Sequence, residues 1–329
     1  RHSNPIGGDG PGSTPTIHAG RVYALGGTGI LRCLDLSTGK PIWIRDVLTD
    51  VGTDYKTDNP GVWWGRHASP LIVDDLVVVP AGGPPGGPKI SLIAYNQQTG
   101  DIVWRGGDRE VSYSSPSLAT YCGVPQIVIV NEDTISAHDP KTGKTLWTTK
   151  WEGQSNQAAS ASQTVPVADD EFFVSKGYTI GGGALFQLKY EPGAAGAEST
   201  EPAAWTIKKL WHNHHVLQTK LSNVIIKDGF VYGLNDGVIE CVELKTGREK
   251  WHGPEYGHGQ LLRIGDILLV TTEFGEVALV ELNSEEFHEL AKFSALDGKT
   301  WNNPALSGDL LLVRNAQEAA CYQLPLAEK

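Results

Sequence analysis

The chain of 329 residues has no methionine, only four cysteines, and fewer cationic than anionic side chains. Its 27 Lys and Arg stand against 38 Asp and Glu, a formal net charge of −11. That balance excludes nucleic acid and anionic membrane as general partners, because both are bound chiefly through clustered Lys and Arg. Long apolar runs are also missing. The longest are short pieces such as Ile267 to Val270, far below the roughly 18 consecutive apolar residues of a membrane span. The chain opens on Arg1 without a basic-then-apolar leader, so an export signal is either absent or already removed. Ordinary usage would supply several methionines in a chain this long.

What remains is the composition of a folded protein: 40% hydrophobic and 20% charged residues. A single compact unit of this size buries on the order of 75% of its unfolded surface, so neither disulfides nor a metal are needed to hold it together. The high content of Gly (39) and Pro (19), without low complexity, points to many tight turns between short strands.

An internal repeat sets the architecture. Thr38-Gly39 is followed by Trp43, Thr99-Gly100 by Trp104, Thr142-Gly143 by Trp147, and Thr246-Gly247 by Trp251. The glycines are 61, 43 and 104 residues apart, and the last gap is about twice a propeller-blade period of roughly 40 to 50. A degenerate unit fills that gap: Leu185-Phe186-Gln187-Leu188 is a strand, an insertion from Tyr190 to Ala204 replaces the turn, and Trp211 takes the aromatic role. Upstream of the turns, Cys33, Ala94, Ala137, Cys241 and Cys321 occupy one strand position. Cys33, Cys241 and Cys321 are therefore expected to be buried and too far apart to pair. Alternating strands bounded by Gly and Asp read as an antiparallel all-β array of four-stranded units. Seven units begin near residues 12, 69, 115, 163, 222, 259 and 303, and such units close into a ring, a β-propeller spanning 1–329 as a single domain. In each signature the Gly supplies positive φ, Asp35 or Asp139 bonds the turn backbone, and Trp43, Trp104, Trp147, Trp211 and Trp251 dock between blades.

The segment Ala137-His138-Asp139-Pro140-Lys141-Thr142-Gly143-Lys144-Thr145-Leu146-Trp147 resembles the tryptophan-docking motif of the pyrroloquinoline-quinone-like (quinoprotein-like) propellers. That family includes an outer-membrane assembly lipoprotein, cofactor-using dehydrogenases and cofactor-free scaffolds, so fold does not fix activity. The resemblance implies an extracytoplasmic protein of bacterial type. It also implies a closing blade completed from the other terminus. The last unit stops at Leu324-Pro325-Leu326 without a Trp-bearing strand, and Arg1 to Gly10 hold none. A missing N-terminal segment and an eight-bladed parent ring are thus expected. The adjacent cysteine pair typical of the quinoprotein alcohol dehydrogenases is lacking.

Segments entering each innermost strand are expected at the mouth of a central channel. The ligand-binding candidates there are Trp64, Arg66, His67, Tyr113, Ser114, Asn156, Lys220, Asn223, His258, Trp301 and Asn302. Arg66 and Lys220 would meet negative groups, Asn and His would fix orientation, and Trp would stack. The competing reading is that these residues cap strands and hold channel water. Asp46, Asp50, Asp54 and Asp58 recur every four residues but lack the order of a known calcium loop, and read as a solvated acidic loop. His212, His214 and His215 lack metal-ligand spacing. Gly82 to Gly87 lies between strands and reads as a hairpin extension, and Ser114 has no local partner that would activate it.

The expectation is a non-catalytic propeller, a monomer that binds a protein partner or small polar ligand through these loops, with no metal and no cofactor. The alternative is an oxidoreductase using pyrroloquinoline quinone with calcium, or a carbohydrate-active enzyme, at the same mouth. A quinone site would need a bound calcium and an Asp base beside a stacking Trp.

Overall fold

The computed structural model describes residues 3–4, 8–9, 12–58, 61–193 and 204–325. Their strands form six four-stranded antiparallel sheets and one of three strands, each a meander in sequence order, with a separate two-stranded ladder of Ser3–Asn4 and Gly8–Asp9. The sheets begin at Thr16, Leu71, Ser117, Val165, Ile225, Gln260 and Ala305, each within a few residues of its expected position. These are propeller blades. The seventh sheet has three strands among the described residues, as the end of the last unit without a Trp-bearing strand led one to expect. One expectation changes: seven blades leave the expected eight-bladed parent unsupported. Most of Arg1 to Gly10, and residues 194–203 of the expected insertion, lie outside the described residues.

Contacts divide the chain into two compact units. One comprises Pro11–Val174 and Ala184–His212, and the other Ser175–Gly183 and Asn213–Lys329 together with Ser3–Gly10.

In the first unit the repeat signature works as its chemistry dictates. The Asp35 carboxylate accepts from Thr38 N (2.8 Å) and Thr38 Oγ1 (2.7 Å), tightening a turn that Gly39 completes at φ +67°. Asn96 with Thr99 and Asp139 with Thr142 repeat the arrangement, with Gly100 at +76° and Gly143 at +72°. The returning strand then sets each Trp opposite a small residue, Cys33↔Trp43, Ala94↔Trp104 and Ala137↔Trp147. A larger residue there would fill the space the indole takes. Each indole is buried under the next sheet: Trp43 with Val77, Val79 and Tyr95, Trp104 with Ile127 and Ile129, and Trp147 stacked on Phe172 at 5.7 Å. Their ring N–H groups donate to Gln97 O (3.0 Å), Pro140 O (3.2 Å) and Gln126 Oε1 (2.5 Å) respectively. Trp211, in the degenerate unit, is half-buried and meets Phe173 of its own sheet at 5.9 Å.

The second unit repeats the device with Cys241↔Trp251, the indole donating to Asn283 O at 2.9 Å and packing with Leu268, Val270 and Val280. Among the described residues its last sheet is covered on one face only. Leu311 and Val313 pack with Leu269, Val277 and Leu296, while Leu310 and Leu312 stay exposed. The expected burial of Cys321 is therefore corrected: Cys33 and Cys241 are buried, but Cys321 is exposed, with no fourth strand beside it among the described residues.

Candidate functional site

The long insertion after the first sheet is better ordered than its charge implied. Asp46 caps the short helix Val47–Asp50 by accepting from Leu48 N (3.1 Å) and Thr49 N (3.3 Å). Asp50 pairs with Arg45 and accepts the Tyr95 hydroxyl at 2.9 Å. Asp54 accepts from Thr57 N at 2.9 Å. Asp58 is buried and pairs with Arg66. The solvated-loop reading thus holds for exposed Asp46 and Asp54 and fails for Asp50 and Asp58, which the fold uses as fixed acceptors.

Arg66, expected to meet a negative ligand, is instead a buried structural cation. Its Nε and Nη2 donate to the two oxygens of Asp58 (3.2 and 2.6 Å) and its Nη1 to Ala81 O (2.5 Å). Such a bidentate pair fixes geometry as well as charge. Beside it runs a second pair, Lys89–Glu110 at 2.5 Å, and the Lys89 ammonium also donates to Gly83 O (2.9 Å) and Pro84 O (2.8 Å). These bonds pin the Gly82–Gly87 hairpin. Gly82 lies at φ +73°, and a Cβ there would stand 2.4 Å from Glu110 Oε1 and 3.1 Å from Arg66 Nη2, so the charged cluster requires glycine. Lys89 and Glu110 escape sequence reasoning because no spacing links them, and the four-residue spacing of Asp58 gives no sign of its pairing with Arg66.

The anchored loop presents aromatics. Trp64 packs on Tyr113 (5.3 Å between ring centres) and His67 meets the edge of the same ring at 6.2 Å. The Tyr113 hydroxyl donates to Ser155 O at 2.8 Å, which ties this loop to the one carrying half-buried Asn156. Trp63 projects with 53% of its surface exposed. Ser114 is buried, its hydroxyl near Ser115 O at 3.4 Å.

In the second unit the structure brings Lys220 and His258 together. Lys220 Nζ is 2.5 Å from Asp236 Oδ1 and lies over the Tyr178 ring at 5.8 Å, while His258 Nε2 is 3.8 Å from the same Asp236 oxygen. Burial, then the Asp236 charge, raises the Tyr178 hydroxyl above its ordinary range. Gln260 donates to Leu221 O (3.0 Å) and Trp301 O (3.1 Å), joining the loops of Lys220 and Trp301. Lys299 sits over the Trp301 ring at 4.5 Å, Asn302 is half-buried, and Asn223 is exposed. Below them Glu240 is fully buried, accepting from Leu217 N and from Asn235 Nδ2 (3.1 Å). Burial pushes its carboxyl up to about 7 against the opposing pull of those hydrogen bonds.

Ser136 Oγ is 2.9 Å from His138 Nε2, but both are buried, and His138 Nδ1 is 3.1 Å from Gly143 O. Burial lowers the basicity of that imidazole. The pair braces the Gly143 turn from inside the sheet. His214 Nδ1 lies 3.0 Å from Gly181 O, and among the described residues no three His, Cys, Asp or Glu side chains group as metal ligands.

Four of the seven blades carry the Thr-Gly-Trp device. The family model for the outer membrane protein assembly factor BamB matches residues 3–253. The chain belongs to the BamB family of PQQ-like repeat propellers. The crystal structure of BamB from Moraxella catarrhalis is similar with a TM-score of 0.61 at 16% identity, over 94% of this chain and 81% of that one. The quinohemoprotein alcohol dehydrogenase ADHIIG from Pseudomonas putida HK5 is similar with a TM-score of 0.57 at 13% identity, over 93% of this chain and 62% of that one. At these identities both likenesses concern the fold. Comparison with curated protein sequences finds no match. No helix among the described residues of this BamB-family chain is long and apolar enough to cross a membrane.

Proposed function

We propose that this BamB-family chain is a non-catalytic, extracytoplasmic binding propeller that docks a protein partner on the aromatic loop of its first unit. The observation that carries the reading is Trp63, exposed beside the packed Trp64, Tyr113 and His67, on a loop whose base is the buried Arg66–Asp58 pair. Aromatic anchors dominate protein interfaces, and a loop already ordered loses little entropy on docking. The family's description as an assembly factor supports the same class of role. In the second unit, Lys220, His258 and Asp236 form a polar, internally balanced patch that suits orientation of a partner more than capture of a bare anion.

A quinone-dependent reaction is the rival, and the loop offers it a poor fit. Asp58 has both oxygens on Arg66, and the Trp64 ring is packed on Tyr113, so these two residues supply neither a free carboxylate nor an open stacking face. The test has two arms. A photo-crosslinking amino acid at position 63, expressed in the source cells, should give one discrete protein adduct, whereas the same group at exposed position 145 should not. Titration with pyrroloquinoline quinone and calcium, followed by dye-linked oxidation of alcohols and aldoses, should show no saturable turnover. Turnover without an adduct would replace the binding reading with the oxidoreductase one.

A further inference from the structure

The segment leading into the fifth sheet, residues 214–220, is held in a shape its sequence does not favour. Leu217 lies at φ +52°, in the left-handed region that a leucine rarely adopts, and it is fully buried. Room for its side chain comes from Gly233, where a Cβ would stand 2.6 Å from Leu217 Cδ2. The backbone around it is pinned by the hairpin of Phe230–Asn235 and Val238–Glu243. Leu217 N donates to Glu240 Oε1, Gln218 N donates to Asn235 Oδ1 (3.1 Å), and Asp236 N donates to Gln218 O (3.1 Å). Asn235 Nδ2 completes the frame by donating to His215 O (2.9 Å) and to Glu240 Oε2 (3.1 Å). The same segment then sets Lys220 against Asp236 and the Tyr178 ring. A strained backbone of this kind persists only where its surroundings over-determine it, and the ionisable side chain bonded into this frame is Glu240.

From this we infer that Glu240 is a proton-operated latch on residues 214–220: neutral, it locks the left-handed turn at Leu217 and so fixes Lys220, and on losing its proton it releases the turn. The physics lies in burial. A carboxylate inside the sheet loses its water, and the two hydrogen bonds it accepts do not replace that hydration, so its proton leaves only near neutral pH. Swinging the segment outward returns the anion to water, and the linkage therefore runs one way: a rising pH favours the open segment. Release also relieves the backbone strain at Leu217. The titratable groups facing Glu240 do not reverse this. His252 lies directly across in register on Arg248–Glu255, and its Nδ1 is 2.8 Å from Glu249 Oε1, so the charges on that side offset each other. The register partner on the other side is Gly233, and on the segment itself Lys220 is paired with Asp236. The latch is a property of the free chain and stands whether or not the aromatic loop docks a partner.

Amide hydrogen exchange of the whole chain, read by mass spectrometry of peptic fragments and corrected for the intrinsic pH dependence of exchange, tests the latch. Between pH 4.5 and 7 the protection of residues 214–220 should fall about a hundredfold, the change expected when Glu240 keeps its proton up to about 7 in the closed segment and only to 4.5 in water. Protection of Ile267–Thr271 in the next sheet should stay level over the same range, which separates local opening from global unfolding. Glu240→Gln keeps the size of the side chain without its charge and should hold residues 214–220 closed at every pH. His252→Gln should leave the fall in place. A level profile in the unaltered chain overturns the proposal without recourse to any variant. So does a fall that survives Glu240→Gln, one that disappears in His252→Gln, or one shared equally by Ile267–Thr271.

Discussion

The indole of Trp104 rests on Gly143. A Cβ at position 143 would lie 2.4 Å from Trp104 Cε3, and the Trp43 ring stands in the same relation to Gly100, at 2.8 Å from Cδ2. Gly100 and Gly143 therefore each do two things: they take the positive φ that closes their own turn, and they form the seat for the tryptophan of the preceding blade. Gly39 has the same φ sign, but nothing lies within 4 Å of its absent Cβ. Gly143→Ala should thus cost about 2 to 4 kcal/mol, a left-handed backbone penalty plus overpacking, whereas Gly39→Ala should cost about 1 kcal/mol. Urea unfolding of the two variants side by side checks the difference, and equal midpoints would refute the seat.

Trp147→Ala removes an indole stacked on Phe172 and bonded to Gln126, and should destabilise the protein by about 3 to 5 kcal/mol. The check is the thermal midpoint. An unchanged value would mean that the sheet-to-sheet cluster does not depend on its central ring.

Asp58→Ala leaves the Arg66 guanidinium buried with its anionic partner gone, at a cost of about 3 to 5 kcal/mol. Asp54→Ala, at an exposed position four residues earlier, should leave the unfolding midpoint nearly unchanged. If the proposed binding depends on the anchored loop, Asp58→Asn should also weaken the crosslink at position 63 in protein that remains folded.

Glu240 makes a pH prediction with a definite sign. Its carboxyl is raised from an ordinary value of 4.5 to about 7 in the folded chain, so the folded state holds a proton that the unfolded state releases. Its contribution to stability is complete below about 4.5 and is lost as pH rises through about 7. Glu240→Gln should flatten that part of the stability profile, measured as the urea midpoint between pH 4.5 and 8, and an unaltered slope would place the titration elsewhere.

The sequence by itself determined the repeat: Thr-Gly turns, small residues at one strand position, and a tryptophan four residues after each glycine are local or periodic, and a periodic chemistry is legible along the chain. It also placed Trp64, His67 and Tyr113, and Lys220 and His258, in polar loops between blades. Tertiary structure alone decided what those loops do with their charge. Arg66 and Asp58 are close in sequence, yet their pairing, the Lys89–Glu110 pair beside it and the glycine that makes room for both depend on how separate strands end near one point. The exposure of Cys321 likewise followed from no property of its own strand. Cys321 is the same residue type in the same register as Cys33 and Cys241, but has no fourth strand beside it among the described residues, and burial belongs to the neighbours of a residue and not to the residue.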